Sequence, residues 1–391
     1  MKTIFTIIIL ISSQAFALPE YEKPILEMSS SLKDGHNAPA VSLFVNSTPT
    51  INDKRNIGIV LSFIEGQMIS GIWTKINEKI SLPYIRDDGF RISDFNLKED
   101  NQFSFTIHQE SFFIDLIKLK LNTLGKPEIV SLKDLGGDIS QLDNINNVYS
   151  SHTGLMLKGN SPQKGIYSLN KDNQLVLLVE ENKDGVSYIF SPSYNKRGSL
   201  AFKARYGAMG EWAESRPDRI ILKKNNESII IASDEDANSA SRWSSFRNGV
   251  SLNIKDEVCF VGIDSNGRAN IVVSLNGKQK VVATEGKEVS KITYFTPIIN
   301  DHGVVAFRGV NKEGLNGVFV TDGKRIKTIL LEKDVLATAI GKVKIFNGRH
   351  IPFGGNIGFN NLGDIVINTA ISDEKGLEDL GRAVISIYTK K

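Results

Sequence analysis

Apolar positions in this chain come in short runs that end in turn residues, and no long stretch has helical spacing. Around Asn300 the sequence reads TPIINDHGVVAFRG and then GVFVTDGKRIKTILL. Related segments surround Asn195 (SPSYNKRGSLAFKA), Asn253 (VSLNIKDEVCFVG), Asn52 (TPTINDKRNIGIVLS) and Asn360 (GNIGFNNLGDIVINT). Weaker copies, DFNLKEDNQFSFTI and NNVYSSHTGLMLKG, fill the remaining gaps. Aligned on the small residue of the Ala-Phe pair, the copies fall at Gly58, Ser104, Gly154, Ala201, Cys259, Ala306 and Val366, separated by 46, 50, 47, 58, 47 and 60 residues.

Each copy reads as four short strands. The first ends in Asn-x-x-Gly, a tight turn in which Asn bonds its own main chain and Gly takes positive φ. A β-rich second strand and a variable loop follow, then a third strand such as GVFVTD or NIVVSL. A two-residue turn leads to the fourth: Asn276-Gly277 and Asp322-Gly323 predict type I′ hairpins, with Asn77-Glu78 and Asn225-Asn226 in the same place. Four antiparallel strands in each of seven repeats predict an all-β, seven-bladed β-propeller. A β-sandwich pair or an open solenoid are the other architectures such strands could build. The last repeat stops after its third strand, AVISIYTKK, whereas PILEMSS precedes the first repeat as an orphan strand. That orphan is expected to complete the last blade, closing the ring and removing two exposed edges.

Residues 1–17, MKTIFTIIIL ISSQAFA, carry one Lys, an apolar run and Ala15-Phe16-Ala17. This is the pattern of a secretory signal cleaved after Ala17, leaving 18–391 as a single propeller domain. The apolar run is short of the ~20 residues that span a bilayer. No Cys follows the cleavage site to carry a lipid. A periplasmic or secreted monomer is expected. The near balance of 47 basic and 44 acidic residues argues against nucleic acid as a partner. The one Cys, Cys259, rules out an internal disulfide and reads as a buried small hydrophobe.

At Asn195, Gly198, Ala201 and Phe202, and again at Asn300, Gly303, Ala306 and Phe307, the sequence resembles a bacterial family of exported tandem-repeat proteins named for Asn-x-x-Gly-x-x-Ala-Phe. It also resembles TolB-type and WD-repeat propellers. The pattern departs at Arg55 and Asp256, where Gly is expected. The resemblance implies fold and export and carries no catalytic residues. Many relatives carry a C-terminal surface anchor; this chain stops at Lys391 without one, which implies release into the periplasm or medium.

On a propeller the short Asn-x-x-Gly and hairpin turns share one face. The longer segments, about 132–141, 205–217, 233–243, 332–350 and 371–380, share the other. Function is expected on that long-loop face. Trp212 with Arg216, and Trp243 with Arg242, lie outside the core pattern, unlike Trp73. They read either as an exposed anchor for a sugar or protein or as a satellite core under the loop. His36 and His350 fall in adjacent crossovers and are candidates for a ligand-binding, metal or general-base role at the channel mouth; exposed loop histidines are the plainer reading. Asp234, Asp236 and Asn238 have the spacing of a calcium loop but lack its Gly and terminal Glu, so a solvated acidic turn is the alternative. No zinc-protease, nucleophile-elbow or phosphate-loop motif occurs. Three functions remain open: a non-catalytic binding module for protein, peptide or glycan; an exported hydrolase or lyase with a channel-mouth site; and a structural envelope component.

Overall fold

The computed structural model describes residues 18–30, 42–43, 47–64, 68–109, 112–121, 127–131, 147–151, 154–159, 163–169, 174–207, 217–225, 227–345, 348 and 351–390. Among the described residues there is no helix, and the strands form seven antiparallel sheets of at least four strands each. Strands pair in chain order within the first six sheets. In the sixth, Val305–Val310, Asn316–Thr321 and Ile326–Leu331 follow one another outward from Lys291–Ile292 and Ile298–Ile299. The weak second and third repeats also form sheets, of which Gln102–Gln109 and Gly154–Gly159 are the second strands.

The near-continuous apolar second strands follow from burial on both faces. Val305, Phe307 and Phe319 of the sixth sheet pack against Cys259, Val261 and Ile271 of the fifth. The alternate residues Ala306, Val318 and Val320 pack against Ile365 and Ile367 of the seventh. The core therefore lies between sheets, and Cys259 is fully buried within it.

The turn after each first strand has one geometry. The fourth residue's N–H donates to the first residue's carbonyl at Asn195/Gly198, Asn300/Gly303, Asn360/Gly363, Asn52/Arg55 and Asn253/Asp256. Lys98/Asn101 forms the same bond in the second sheet, where the sequence pattern is weak. The fourth residue has positive φ in every case, 85° at Gly198 and 64° at both Arg55 and Asp256. The two departures from Gly are cross-links between sheets. Arg55 Nε and Nη2 donate to the buried Asp364 carboxylate at 3.1 and 3.2 Å, and Nη2 also donates to the Thr389 carbonyl. Asp256 accepts from Asn195 Nδ2 at 2.9 Å and from Lys224 Nζ.

The Asn side chains link the turns laterally. Each Oδ1 accepts main-chain N–H groups of its own turn, as Asn300 does from His302 and Val304. Each Nδ2 reaches the first carbonyl of the next sheet's turn. Asn195 donates to Asn253 at 2.8 Å, Asn253 to Asn300 at 2.9 Å, Asn300 to Asn360 at 3.4 Å, Asn360 to Asn52 at 2.9 Å, and Asn52 to Lys98 at 3.0 Å.

Ile25–Ser29 pairs antiparallel with Asp379–Ile387 in the seventh sheet, with Leu26 opposite Ile385 and Met28 opposite Val384. Its Glu27 is buried and accepts from Ser386 Oγ, from Tyr388 Oη at 2.8 Å and from Lys75 Nζ of the first sheet at 2.9 Å.

Two local expectations need correction. Asn276-Gly277 and Asn77-Glu78 have the paired positive φ of a type I′ turn. At Asp322-Gly323 only Gly323 does, because the Asp322 carboxylate accepts from the N–H groups of Lys324 and Arg325 and widens the turn. Part of 332–350, expected as loop, is a hairpin of Val335–Thr338 and Gly341–Ile345 added to the seventh sheet.

Candidate functional site

The first strands, facing the axis around which the sheets gather, are broken. Those of the fourth and sixth sheets are split into two pieces, Val186–Ile189 with Ser193–Tyr194 and Lys291–Ile292 with Ile298–Ile299. Those of the fifth and seventh shift register between Phe246 and Val250 and between Gly354 and Gly358. Crowding explains the breaks: a Cβ on Gly249 would meet Thr296 Oγ1 at 1.7 Å, and one on Gly355 would meet the Ser47 carbonyl at 2.4 Å. The first strands then run on to the Asn turns, so the breaks and the turns lie toward opposite ends of these strands.

At the turn end lies a cavity of about 350 Å³. Its walls are apolar, from Ile51, Ile298, Ile299 and Ile357, and its rim carries Asp53, Glu99, Lys196, Asp301 and Asn361. The rim carboxylates bridge neighbouring turns: Glu99 accepts the Asp53 N–H at 3.1 Å, Asp53 that of Asn361 at 2.8 Å, and Asp301 that of Ile254 at 2.8 Å. Burial, with Asp53 alongside, pushes the Glu99 carboxyl up. The sequence signal for this rim is the polar residue after the turn Asn, in IND twice and in FNN.

At the broken-strand end, cations of the fourth to sixth sheets lie against aromatic rings. Lys203 Nζ is 3.8 Å from the Phe190 ring centroid, and both Lys203 and Arg205 are paired with Asp218. Arg247 stacks 4.7 Å from Tyr294, and Arg308 4.0 Å from Phe295. Tyr294 is 83% exposed, Phe295 37% and nearby Ile351 60%. The sequence reading missed this group, whose signal is the pair Tyr294-Phe295 in an otherwise core-patterned segment.

Of the residues singled out in the sequence, Trp212, Arg216, His36 and His350 lie outside the described residues. Trp243 is 1% exposed, so the exposed-anchor reading is corrected for this indole. It begins the first strand of the fifth sheet and fits over Gly262, where a Cβ would come within 2.6 Å of the ring. Its Nε1 donates to Gln279 Oε1 at 2.9 Å, and Gln279 Nε2 donates to the Ile231 carbonyl of the fourth sheet. Exposed Arg242 stacks on the indole at 4.4 Å, beside a shallow outer groove. Asp234 is buried and accepts the N–H groups of Asp218 at 2.8 Å and Ala237 at 2.9 Å, while Asp236 and Asn238 are exposed. Burial pushes the Asp234 carboxyl up. No group of three His, Cys, Asp or Glu suited to a metal ion occurs among the described residues. Among them, too, no helix is long and apolar enough to cross a membrane.

A family described as a family of unknown function (DUF7453) matches residues 194–387. No curated protein matches the sequence. Among solved structures, the chain is similar to a puromycin-hydrolyzing peptidase of Mycobacterium tuberculosis, at 12% identity and a TM-score of 0.54, over 94% of this chain and 57% of that one. It is also similar to an acylaminoacyl peptidase of Pyrococcus horikoshii, at 12% identity and a TM-score of 0.52, over 83% of this chain and 51% of that one. A TolB-like protein of Agrobacterium tumefaciens matches at 12% identity and a TM-score of 0.42, over 80% of this chain and 94% of that one. The chain thus spans about half the length of the two peptidases. The fold is all-β and propeller-like.

Proposed function

We propose that this protein is an exported, non-catalytic binding module: a seven-bladed β-propeller, closed by Ile25–Ser29 as the fourth strand of the last blade, that holds a protein, peptide or glycan at its long-loop face. Lateral bonds between the seventh and first sheets, Asn360 to Asn52 and Arg55 to Asp364, support the ring. The observation that carries the binding reading is the exposed trio at the broken-strand end: Tyr294 stacked by Arg247, Phe295 stacked by Arg308, and Ile351, whose carbonyl takes a bond from Arg382. The peptidase likeness adds the fold alone, since the chain spans only about half of those enzymes. Export rests on residues 1–17, and N-terminal sequencing of the mature protein is expected to begin at Leu18.

The binding test is retention on envelope glycan and protein from the producing cells. Tyr294→Ala/Ile351→Ser is expected to lose most retention while melting normally; equal retention of the variant would sink the reading. One observation favours a second reading, an exported hydrolase: Glu99 has a raised carboxyl beside Asp53 in the turn-end cavity. Under that reading a library of peptide and glycoside substrates is turned over, and Glu99→Gln abolishes the turnover.

A further inference from the structure

The broken-strand end has an uncancelled charge. Arg247 donates to the Thr293 carbonyl. Arg308 donates to the carbonyls of Gly355 and Phe353, the latter at 2.8 Å. Arg382 donates to Asn368 Oδ1 at 2.9 Å and to the Ile351 carbonyl at 3.1 Å. All these acceptors are neutral, and Arg308 and Arg382 lie close enough to repel each other. Among the described residues none of the three forms an ion pair; the carboxylates they sense are Glu285, from Arg247, and Asp379, from Arg382. Burial pushes Arg308 and Arg382 down to about 10, and Arg382 adds its repulsion to Arg308. Arg382 is 4% exposed, and its Nη2 is buried without a hydrogen-bond partner. Lys203 and Arg205 of the fourth sheet differ, because both are paired with Asp218.

Above this charge stands the Tyr294 ring, with Arg247 on one side and solvent over most of the rest. We infer that the broken-strand end binds an acidic saccharide, its carboxylate against Arg247 and the flat C–H face of its ring on Tyr294. The inference rests on the binding reading above and names the ligand class for it. Guanidinium groups suit planar carboxylates, with two parallel N–H donors. Guanidinium groups held by neutral acceptors at one end favour an anion over a neutral partner. An extended acidic peptide fits less well. It would add to a continuous free strand edge, and the first strands are interrupted here, the pieces at Lys291–Ile292 and Ile298–Ile299 being two residues each.

The experiment titrates the full-length mature protein with three uronate oligomers (galacturonate, alginate and heparin-derived), with neutral oligosaccharides of equal length, and with an oligoglutamate peptide. At least one uronate oligomer is expected to bind, with affinity falling as salt rises. Arg247→Gln and Tyr294→Ala are each expected to weaken it about tenfold or more, the scale of one charge-assisted hydrogen bond or one aromatic anchor. Exposed Tyr294 serves as the second variant should Arg247→Gln disturb folding. Equal binding of the neutral sugars, tighter binding of oligoglutamate, or no uronate binding each overturns the inference. The first two leave the binding reading standing. The third removes that reading as well only if Tyr294→Ala/Ile351→Ser is retained on envelope material like the unaltered protein.

Discussion

Asp256 holds a left-handed main-chain conformation that costs a non-glycine residue about 1–2 kcal/mol. Its carboxylate offsets that strain by taking bonds from Asn195 and Lys224. Burial alone would raise this carboxyl; Lys224, Ser199 and Asn195 outweigh it and hold the group below the ordinary range. A lowered folded-state value means the stabilisation is present above the unfolded-state range near pH 4 and is lost as pH falls through the folded value. Asp256→Gly relieves the backbone but leaves the Asn195 amide short of a partner. We expect a net loss of about 1 kcal/mol at pH 7 that shrinks below about pH 4, read from urea melts at several pH values. Arg55→Gly should cost more, about 2 kcal/mol, because it strands the fully buried Asp364. A neutral Arg55→Gly in the same melts would mean that Asp364 is satisfied by Thr389 and Asn360 alone.

The element that most depends on one side chain is Ile25–Ser29. Glu27 ties it to Lys75 of the first sheet and to Tyr388 beyond the adjoining strand. Glu27→Ala is expected to destabilise the protein by about 3 kcal/mol, the scale of breaking a buried pair. Deleting 18–30 should cost more still, and unchanged melting after that deletion would remove the strand's structural role. Asp234 belongs to this scale too. With both its oxygens already taking main-chain N–H groups, calcium is expected to leave the melting temperature unchanged, whereas Asp234→Ala lowers it with or without the ion. The strands and turns were most legible in the sequence where the second strand is apolar on both faces and the turn carries its own Asn and positive-φ residue, as at Asn300 and Gly303. Arg55 and Asp256 read as decay of the pattern because a cross-link to another sheet leaves no trace in local spacing. The same limit hid Trp243, whose burial depends on the absent side chain of Gly262 in the neighbouring strand. The Asp322 turn was misread because the Asp side chain competes with the tight hairpin for main-chain donors.

At the scale of the molecule the turn end and the broken-strand end differ in chemistry. The turn end is a cavity rimmed by Asp53, Glu99 and Asp301, each committed to a neighbour's main chain. The broken-strand end presents aromatic rings over arginines with neutral partners. Neither end could be assembled from linear motifs, since each draws its residues from several repeats. The Asn side chains of the turn end set one more property. From the fourth sheet round to the second, each turn's amide donor and its acceptor belong to different sheets. Losing one sheet would leave an unpaired amide on one side and an unpaired carbonyl on the other. Opening should therefore spread along the run instead of staying local. In native-state hydrogen exchange the N–H groups of Gly198, Gly303 and Gly363 are expected to share one opening free energy, and Asn300→Ala should lower it for all three together.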